Sequence, residues 1–280
     1  MFKLAARQQW DACADGWNGK SDLIRNWLRE STDAMLAMAD IKTGARVLDV
    51  AAGAGDQTLD IARRVGPNGY VLATDFSPAI LAFAKDNAWR AGYANVETKA
   101  EDGETFEVAE ASFDAAICRL GLMLFPDPFK GLKRMVHALK AGGSACTMVF
   151  STPEQNPCIG VLVSTVFKHA DLPLPDPYRP GGLLSLGKPG LMDELFGRAG
   201  FSHVATTKVA APFRLPSVQD YLDFVRTSAS PILQILAKLD DARRETAWAE
   251  ITDKLGAFNT SNGWEGPNEL LLTVGRRPTI

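Results

Sequence analysis

Val47-Leu48-Asp49-Val50-Ala51-Ala52-Gly53-Ala54-Gly55-Asp56-Gln57-Thr58-Leu59-Asp60-Ile61-Ala62 reads as a short apolar run, a glycine turn and the start of a helix. The run Val47–Ala51 is strand-like. From Asp56 to Val65 the apolar positions fall at helical spacing, with Leu59, Ile61 and Ala62 expected to face inward, and Gly66-Pro67-Asn68-Gly69 stops the helix. Gly53 and Gly55 stand between the two elements, where the backbone bends sharply and where a ligand can approach without meeting a Cβ. A helix that starts at such a turn points its free amides into the crevice beyond the strand ends.

The same texture continues outward. Tyr70–Asp75 is a second strand, and Ser77-Pro78 caps a helix to about Ala91, the serine supplying an N-cap oxygen and the proline losing no needed N–H. Val96–Ala100 and Phe113–Cys118 are further strands. Pro128–Leu139 is a helix, and Ala141-Gly142-Gly143 turns into a fifth strand ending at Phe150. Strands separated by helices of this length predict an α/β protein with a doubly wound, mostly parallel sheet.

Upstream, Arg7–Asp40 reads as helices. Downstream, prolines crowd residues 151–189 around one helix, Cys158–Ala170. A helix over Gly190–Ala199, a strand over Phe201–Ala211, a helical stretch over Val218–Phe258 and a last strand over Glu269–Val274 follow. The expected layout is N-terminal cap helices over 1–39, a Rossmann-like core over 40–150 that resumes over 190–211 and 267–280, and further cap insertions over 151–189 and 212–266, the second helical. With the two later strands the sheet has seven.

Composition narrows the function. The 280 residues are 46% hydrophobic and 22% charged, with a formal net charge of −3 and no dense Lys/Arg cluster, so neither nucleic acid nor an anionic membrane surface is an expected partner. No apolar run is long enough to span a bilayer, and the start of the chain lacks a signal-peptide core. Cys13, Cys118, Cys146 and Cys158 form no C-x-x-C pair, which points to reduced thiols and no metal site. A cytoplasmic enzyme is the expectation, with tryptophans near the N-terminus as candidates for pairing subunits in a homodimer.

Asp75 closes the second strand about 20 residues beyond Gly55, where an acid can hold ribose hydroxyls. That acid suits NAD and adenosyl ligands alike. The dinucleotide fingerprint wants a third glycine where this chain has Thr58, and the Gly-Lys-Ser/Thr of a P-loop is absent. Asp49 instead lies inside the first strand, four residues before Gly53.

With Asp49-x-x-x-Gly53-x-Gly55, Asp75, Glu101-Asp102-Gly103-Glu104, Phe113-Asp114 and Leu139-Lys140-Ala141-Gly142-Gly143 in order, the chain resembles the class I S-adenosylmethionine-dependent methyltransferases. The nearest group by motif is the methyltransferases of ubiquinone and menaquinone biosynthesis. The motifs cover roughly residues 40 to 150, plus the Ala199-Gly200-Phe201 turn. Two departures stand out: the family's Gly-Cys-Gly-x-Gly turn reads Ala51-Ala52-Gly53-Ala54-Gly55, and its Arg-Val-Leu-Lys-Pro-Gly-Gly stretch reads His137-Ala138-Leu139-Lys140-Ala141-Gly142-Gly143.

The resemblance implies S-adenosylmethionine as cofactor and S-adenosylhomocysteine as product. Ala51, Gly53 and Gly55 would border the methionine part, and Asp49 would attract its ammonium directly or through water. Asp75 would accept both ribose hydroxyls, Asp102 the adenine amino group, the Gly103 amide would serve N1, and Phe76 would lie against the ring. Arg119 and Leu120 would flank the sulfonium.

Methyl transfer is an in-line displacement that needs alignment and exclusion of water more than a dyad of acid and base. His169 is a candidate base and Arg119 a candidate for orienting the acceptor; His137 and His203 read as structural. Leu122, Met123, Phe125, Phe167, Tyr178, Phe213 and Trp264 are candidate pocket residues for an aromatic or lipophilic small-molecule acceptor methylated at oxygen or carbon. An NAD(P)-dependent oxidoreductase and a non-catalytic cofactor-binding scaffold remain as alternatives.

Overall fold

A computed structural model describes residues 2–228 and 230–279. Two helices, α1 (Phe2–Asn18) and α2 (Ser21–Met38), precede β1 (Arg46–Val50). The chain then alternates through α3 (Asp56–Val65), β2 (Tyr70–Asp75), α4 (Pro78–Arg90), β3 (Val96–Ala100), β4 (Phe113–Arg119), α5 (Pro128–Ala138) and β5 (Leu139–Phe150). After α6 (Pro157–His169) and α7 (Leu191–Ala199) come β6 (Ser202–Ala210), β7 (Phe213–Leu215), α8 (Val218–Ser228), α9 (Ser230–Leu236) and α10 (Asp241–Leu255). Two short strands, β8 (Asn259–Thr260) and β9 (Gly263–Gly266), lead to β10 (Glu269–Arg276).

Seven strands form one sheet in the order β3-β2-β1-β4-β5-β10-β6. The first five are parallel, and β10 runs antiparallel between β5 and β6. β1 lies inside the sheet beside the central β4, with Leu48 paired to Leu72 on one side and to Ala116 on the other. Central strands covered on both faces must be apolar throughout, and Val47, Leu48, Val50, Ala115, Ala116 and Ile117 are all buried. The connections leave β1 and β4 in opposite directions, so their carboxyl ends open the crevice where doubly wound sheets bind ligands.

Local chemistry accounts for the helix starts. Ser77 accepts from Ile80 N at 3.2 Å with Pro78 in the first turn of α4, and Asp127 caps α5 in the same way through Lys130 N, followed by Pro128. α3 has no side-chain cap and begins at Gly55 with φ of 91°.

Three expectations change. Leu59 is only half buried, while Asp56, Gln57 and Thr58 are buried beside Ile61 and Ala62. Residues 212–266 are not all helical: β7, β9 and β8 make a three-stranded antiparallel sheet, and the expected single helical stretch divides into α8, α9 and α10. Trp10, Trp17 and Trp27 are half buried within the chain, Trp27 stacked on Phe213 at 3.9 Å between centroids; the exposed tryptophan is Trp89 on α4, at 77%. Among the described residues no helix is long and apolar enough to cross a membrane.

Candidate active site

At the end of β1 the backbone enters the left-handed region twice, at Ala51 with φ of 56° and at Gly53 with φ of 58°. A non-glycine residue there carries strain, which persists where surrounding structure imposes it. Asp49, just before, is completely buried. Its oxygens accept from Thr58 Oγ1 at 2.6 Å and Gln57 Nε2 at 3.1 Å, tying β1 to the first turn of α3. Burial pushes its carboxyl up to about 6, against the pull of Thr58, Gln57 and Arg119. Asp49 therefore faces α3, and its neighbours hold the glycine turn in shape. Gly55 serves packing: a Cβ there would lie 2.9 Å from both Cα and Cβ of Ala84 in α4.

Asp75 stands across the turn at the end of β2. Oδ2 accepts from Gly53 N at 3.0 Å and Oδ1 from Ser77 N at 3.0 Å. Burial raises this carboxyl to about 6 as well, partly offset by those backbone N–H groups. Phe76 beside it is half buried and belongs to none of the hydrophobic clusters among the described residues. Asp102 Oδ1 accepts from Glu104 N at 2.9 Å, and Gly103 lies flat under Phe125, whose Cζ is 2.2 Å from where a Cβ would sit.

β4 ends in a matching irregularity. Leu120 has φ of 54°, and its N–H donates to Met148 O at 2.8 Å. Gly121 packs on the β1 loop so closely that a Cβ would lie 2.4 Å from Ala51 Cβ. Arg119 turns under this turn and away from the loop beyond β4. Its Nη1 donates to Thr32 Oγ1 at 3.1 Å and its Nη2 lies 3.8 Å from Asp56 Oδ2, with only 8% of the residue exposed. A buried guanidinium needs an anion and hydrogen-bond acceptors, and α2 and α3 supply them.

The crevice thus gathers Ala51, Gly53, Asp75, Phe76, Asp102, Gly103, Leu120 and Phe125 along the β1, β2, β3 and β4 ends. The structure places other expected residues elsewhere. His169 Nε2 lies 2.7 Å from Glu250 Oε2 on α10, and Glu250 is also bound by Lys168 and Lys254, which hold its carboxyl down at about 2. The ring is spent on that α6–α10 seam. Phe213 and Trp264 belong to a buried aromatic cluster, Trp264 stacking on Tyr221 at 4.7 Å and donating its Nε1–H to Leu255 O at 2.7 Å. Leu122 and Met123 are buried, and the Met123 carbonyl accepts from Ser185 Oγ at 2.6 Å. Phe167 and Tyr178 are half buried on the cap, with Lys188 Nζ 4.9 Å above the Tyr178 ring.

Sequence reasoning placed the N-terminal helices in the cap but named none of the α1 residues that meet the crevice. Lys3 Nζ lies 2.6 Å from Asp102 Oδ2 and 2.6 Å from Glu104 Oε2. Ser77 Oγ donates to Asp11 at 2.5 Å, Asn87 Nδ2 donates to Asn18 and to Ala54 O, and the Trp17 indole nitrogen sits 3.6 Å from where a Gly53 Cβ would be. Nothing local in residues 2–18 signals these partners, which are 36 to 101 positions away.

Strand order, a glycine turn at the switch point and an acid closing the second strand define a Rossmann-like methyltransferase fold. The profile of the ubiE/COQ5 methyltransferase family matches residues 23–169, and the chain belongs to that family. It is 30% identical over 170 residues to the ubiquinone/menaquinone biosynthesis C-methyltransferase of Hahella chejuensis, covering 59% of this chain and 66% of that protein. It is 33% identical over 127 residues to the demethylmenaquinone methyltransferase of Bacillus cytotoxicus, covering 45% of this chain and 52% of that one. The chain thus spans between about half and two thirds of the length of these curated relatives. Among solved structures, the YcgJ protein of Bacillus subtilis superposes with a TM-score of 0.60 at 19% identity, over 89% of this chain and 99% of that one.

Proposed function

We propose that the protein transfers a methyl group from S-adenosylmethionine to a small aromatic or lipophilic acceptor. The observation that carries this reading is the pairing of Asp75 with the Gly53 amide across the crevice, inside the segment that matches the family. The residues present fit an adenosyl ligand. Each Asp75 oxygen has accepted one backbone N–H and keeps a lone pair for a ribose hydroxyl. Phe76 is half buried and in none of the described hydrophobic clusters, and Gly53 presents backbone without a Cβ. Thr58, where a dinucleotide site wants glycine, is fully buried and donates to Asp49, which disfavours the oxidoreductase alternative.

When bound, the cofactor supplies a methyl carbon on positive sulfur; the carbon–sulfur bond breaks as the acceptor–carbon bond forms, the sulfur keeps the electron pair, and the acceptor sheds a proton. The protein's residues orient and exclude water. Asp75 fixes the ribose end and Asp102 the base end. Leu120 and Gly121, held against Ala51, set the distance between the β1 and β4 loops where the acceptor enters. Arg119, paired with Asp56 and bonded to Thr32, stiffens the floor of the turn. Phe125, from the same loop, packs over Gly103 at the crevice.

The names of the relatives favour a ring carbon of a quinone-like acceptor over an oxygen. With His169 engaged by Glu250, the proton lost from such a ring passes to the acceptor's own hydroxylate or to solvent. Incubating the protein with methyl-labelled cofactor and a panel of hydroquinones and phenols tests the reading. Labelled product with a new carbon–methyl bond, and stoichiometric S-adenosylhomocysteine, is the expected outcome. Cofactor binding without turnover on any member of the panel argues for the scaffold alternative.

A further inference from the structure

One ligand acid of the crevice, Asp102, is already engaged by α1, and the same helix covers the turn beside Asp75. α1 crosses the ends of β1 and β2 with three polar anchors: Lys3 on Asp102 and Glu104, Asp11 on Ser77, and Asn18 on Asn87. Between the anchors an apolar strip seals the gap. Ala14 packs with Ala54 and Ile80, flanked by Trp10 and Trp17, and Ala54 in the glycine turn is only 1% exposed. Asp75 itself is 9% exposed. On its outer side α1 meets α8 so closely that a Cβ on Gly16 would lie 2.6 Å from Thr227 O.

One end of this strap is an ion pair and the other is packing. Lys3 Nζ takes the Asp102 oxygen left over from the Glu104 amide, and it also reaches the nearly buried carboxylate of Glu104. Glu104 Oε1 in turn accepts from Asp127 N at 2.7 Å, at the start of α5. A single ammonium therefore links α1, the loop after β3 and the loop after β4. An exocyclic amine arriving at Asp102 would compete for the same oxygen that Lys3 holds.

We propose that α1 is an autoinhibitory lid over the cofactor crevice, latched by Lys3 on Asp102 and Glu104, and that a ligand amino group binds by displacing Lys3. This rests on the adenosyl reading of the crevice given above. Ligand entry then requires the latch to open first, so the association rate is set by opening.

The molecule carries its own reporter. Cys13 lies on α1 and is half buried, whereas Cys118, Cys146 and Cys158 are buried. The Cys13 labelling rate with a thiol reagent, assigned by peptide mass, reads lid opening without any cofactor. Stopped-flow binding of S-adenosylhomocysteine reads its consequence. In Lys3→Met both Cys13 labelling and ligand association should rise about fivefold, the loss of a partly exposed, charge-assisted pair, and Lys3→Arg should return both close to wild type. Wild-type binding with identical labelling and association rates in Lys3→Met overturns the latch and leaves the adenosyl reading standing. Faster labelling in Lys3→Met with no binding by either protein sinks the adenosyl reading and leaves the latch intact.

Discussion

Asp75 and Asp49 are both buried carboxylates near one glycine turn, yet their surroundings give them different work. Asp49 spends its oxygens on Thr58 and Gln57, so its charge serves the joint between β1 and α3. Asp75 accepts only backbone N–H groups and keeps capacity toward the crevice. Both carboxyls are raised to about 6 from the ordinary 3.8, chiefly by burial. Between those pH values the folded chain holds more protons than the unfolded one, so their contribution to stability falls as pH rises through that window. Ligand binding should run the other way, since a proton on Asp75 removes an acceptor from the ribose. Affinity for S-adenosylhomocysteine, measured by titration calorimetry, should be flat above about pH 7 and fall about tenfold per unit below 6, with Asp75→Asn flattening the profile. A pH-independent affinity in the native chain would mean that Asp75 does not meet the ligand. Asp75 was legible as a candidate ligand acid from its position after Gly55, and Asp102 from the family resemblance. The direction in which Asp49 faces was not, because Gln57 and Thr58 resemble ordinary first-turn residues until α3 is packed on β1.

Elements with a strong period were legible, and elements held by distant partners were not. α3 and β2 fall on their expected boundaries because apolar spacing and Gly66-Pro67-Asn68-Gly69 leave little choice. Gly55 shows why the turn needs glycine: it combines φ of 91° with the close approach of α4. Gly55→Ala should cost about 2–4 kcal/mol, left-handed strain plus overpacking, seen as a lower urea midpoint at unchanged slope. A change below about 0.5 kcal/mol would show that α3 and α4 separate without penalty. The sheet of β7, β9 and β8 escaped notice because strands of three, four and two residues are too short to display alternation. Trp264 and Phe213, read as pocket residues from their size, are what this small sheet buries. α1 was legible as a helix of the cap, but its contacts were not, since its Lys3, Asp11 and Asn18 look like solvated residues until their partners arrive from the loops after β2 and β3 and from α4.

For the molecule as a whole, seven strands in the order β3-β2-β1-β4-β5-β10-β6 bring the β1, β2 and β4 loops to one edge, and α1 lies against it. The family profile ends at residue 169, so α7 to α10 and the small sheet, which carry much of the cap, lie outside it. Acceptor choice is expected to reside there and to differ from that of the relatives more than cofactor choice does, because fold alone never fixes reaction. The most direct test is titration of S-adenosylhomocysteine into the native protein and into Asp75→Ala near pH 7.5, with unfolding midpoints confirming that both are folded. One-to-one binding by the native chain, weakened about a hundredfold or more in Asp75→Ala, is the predicted result for the loss of two charge-assisted hydrogen bonds. No binding by the native chain, or equal affinity in both, would contradict it.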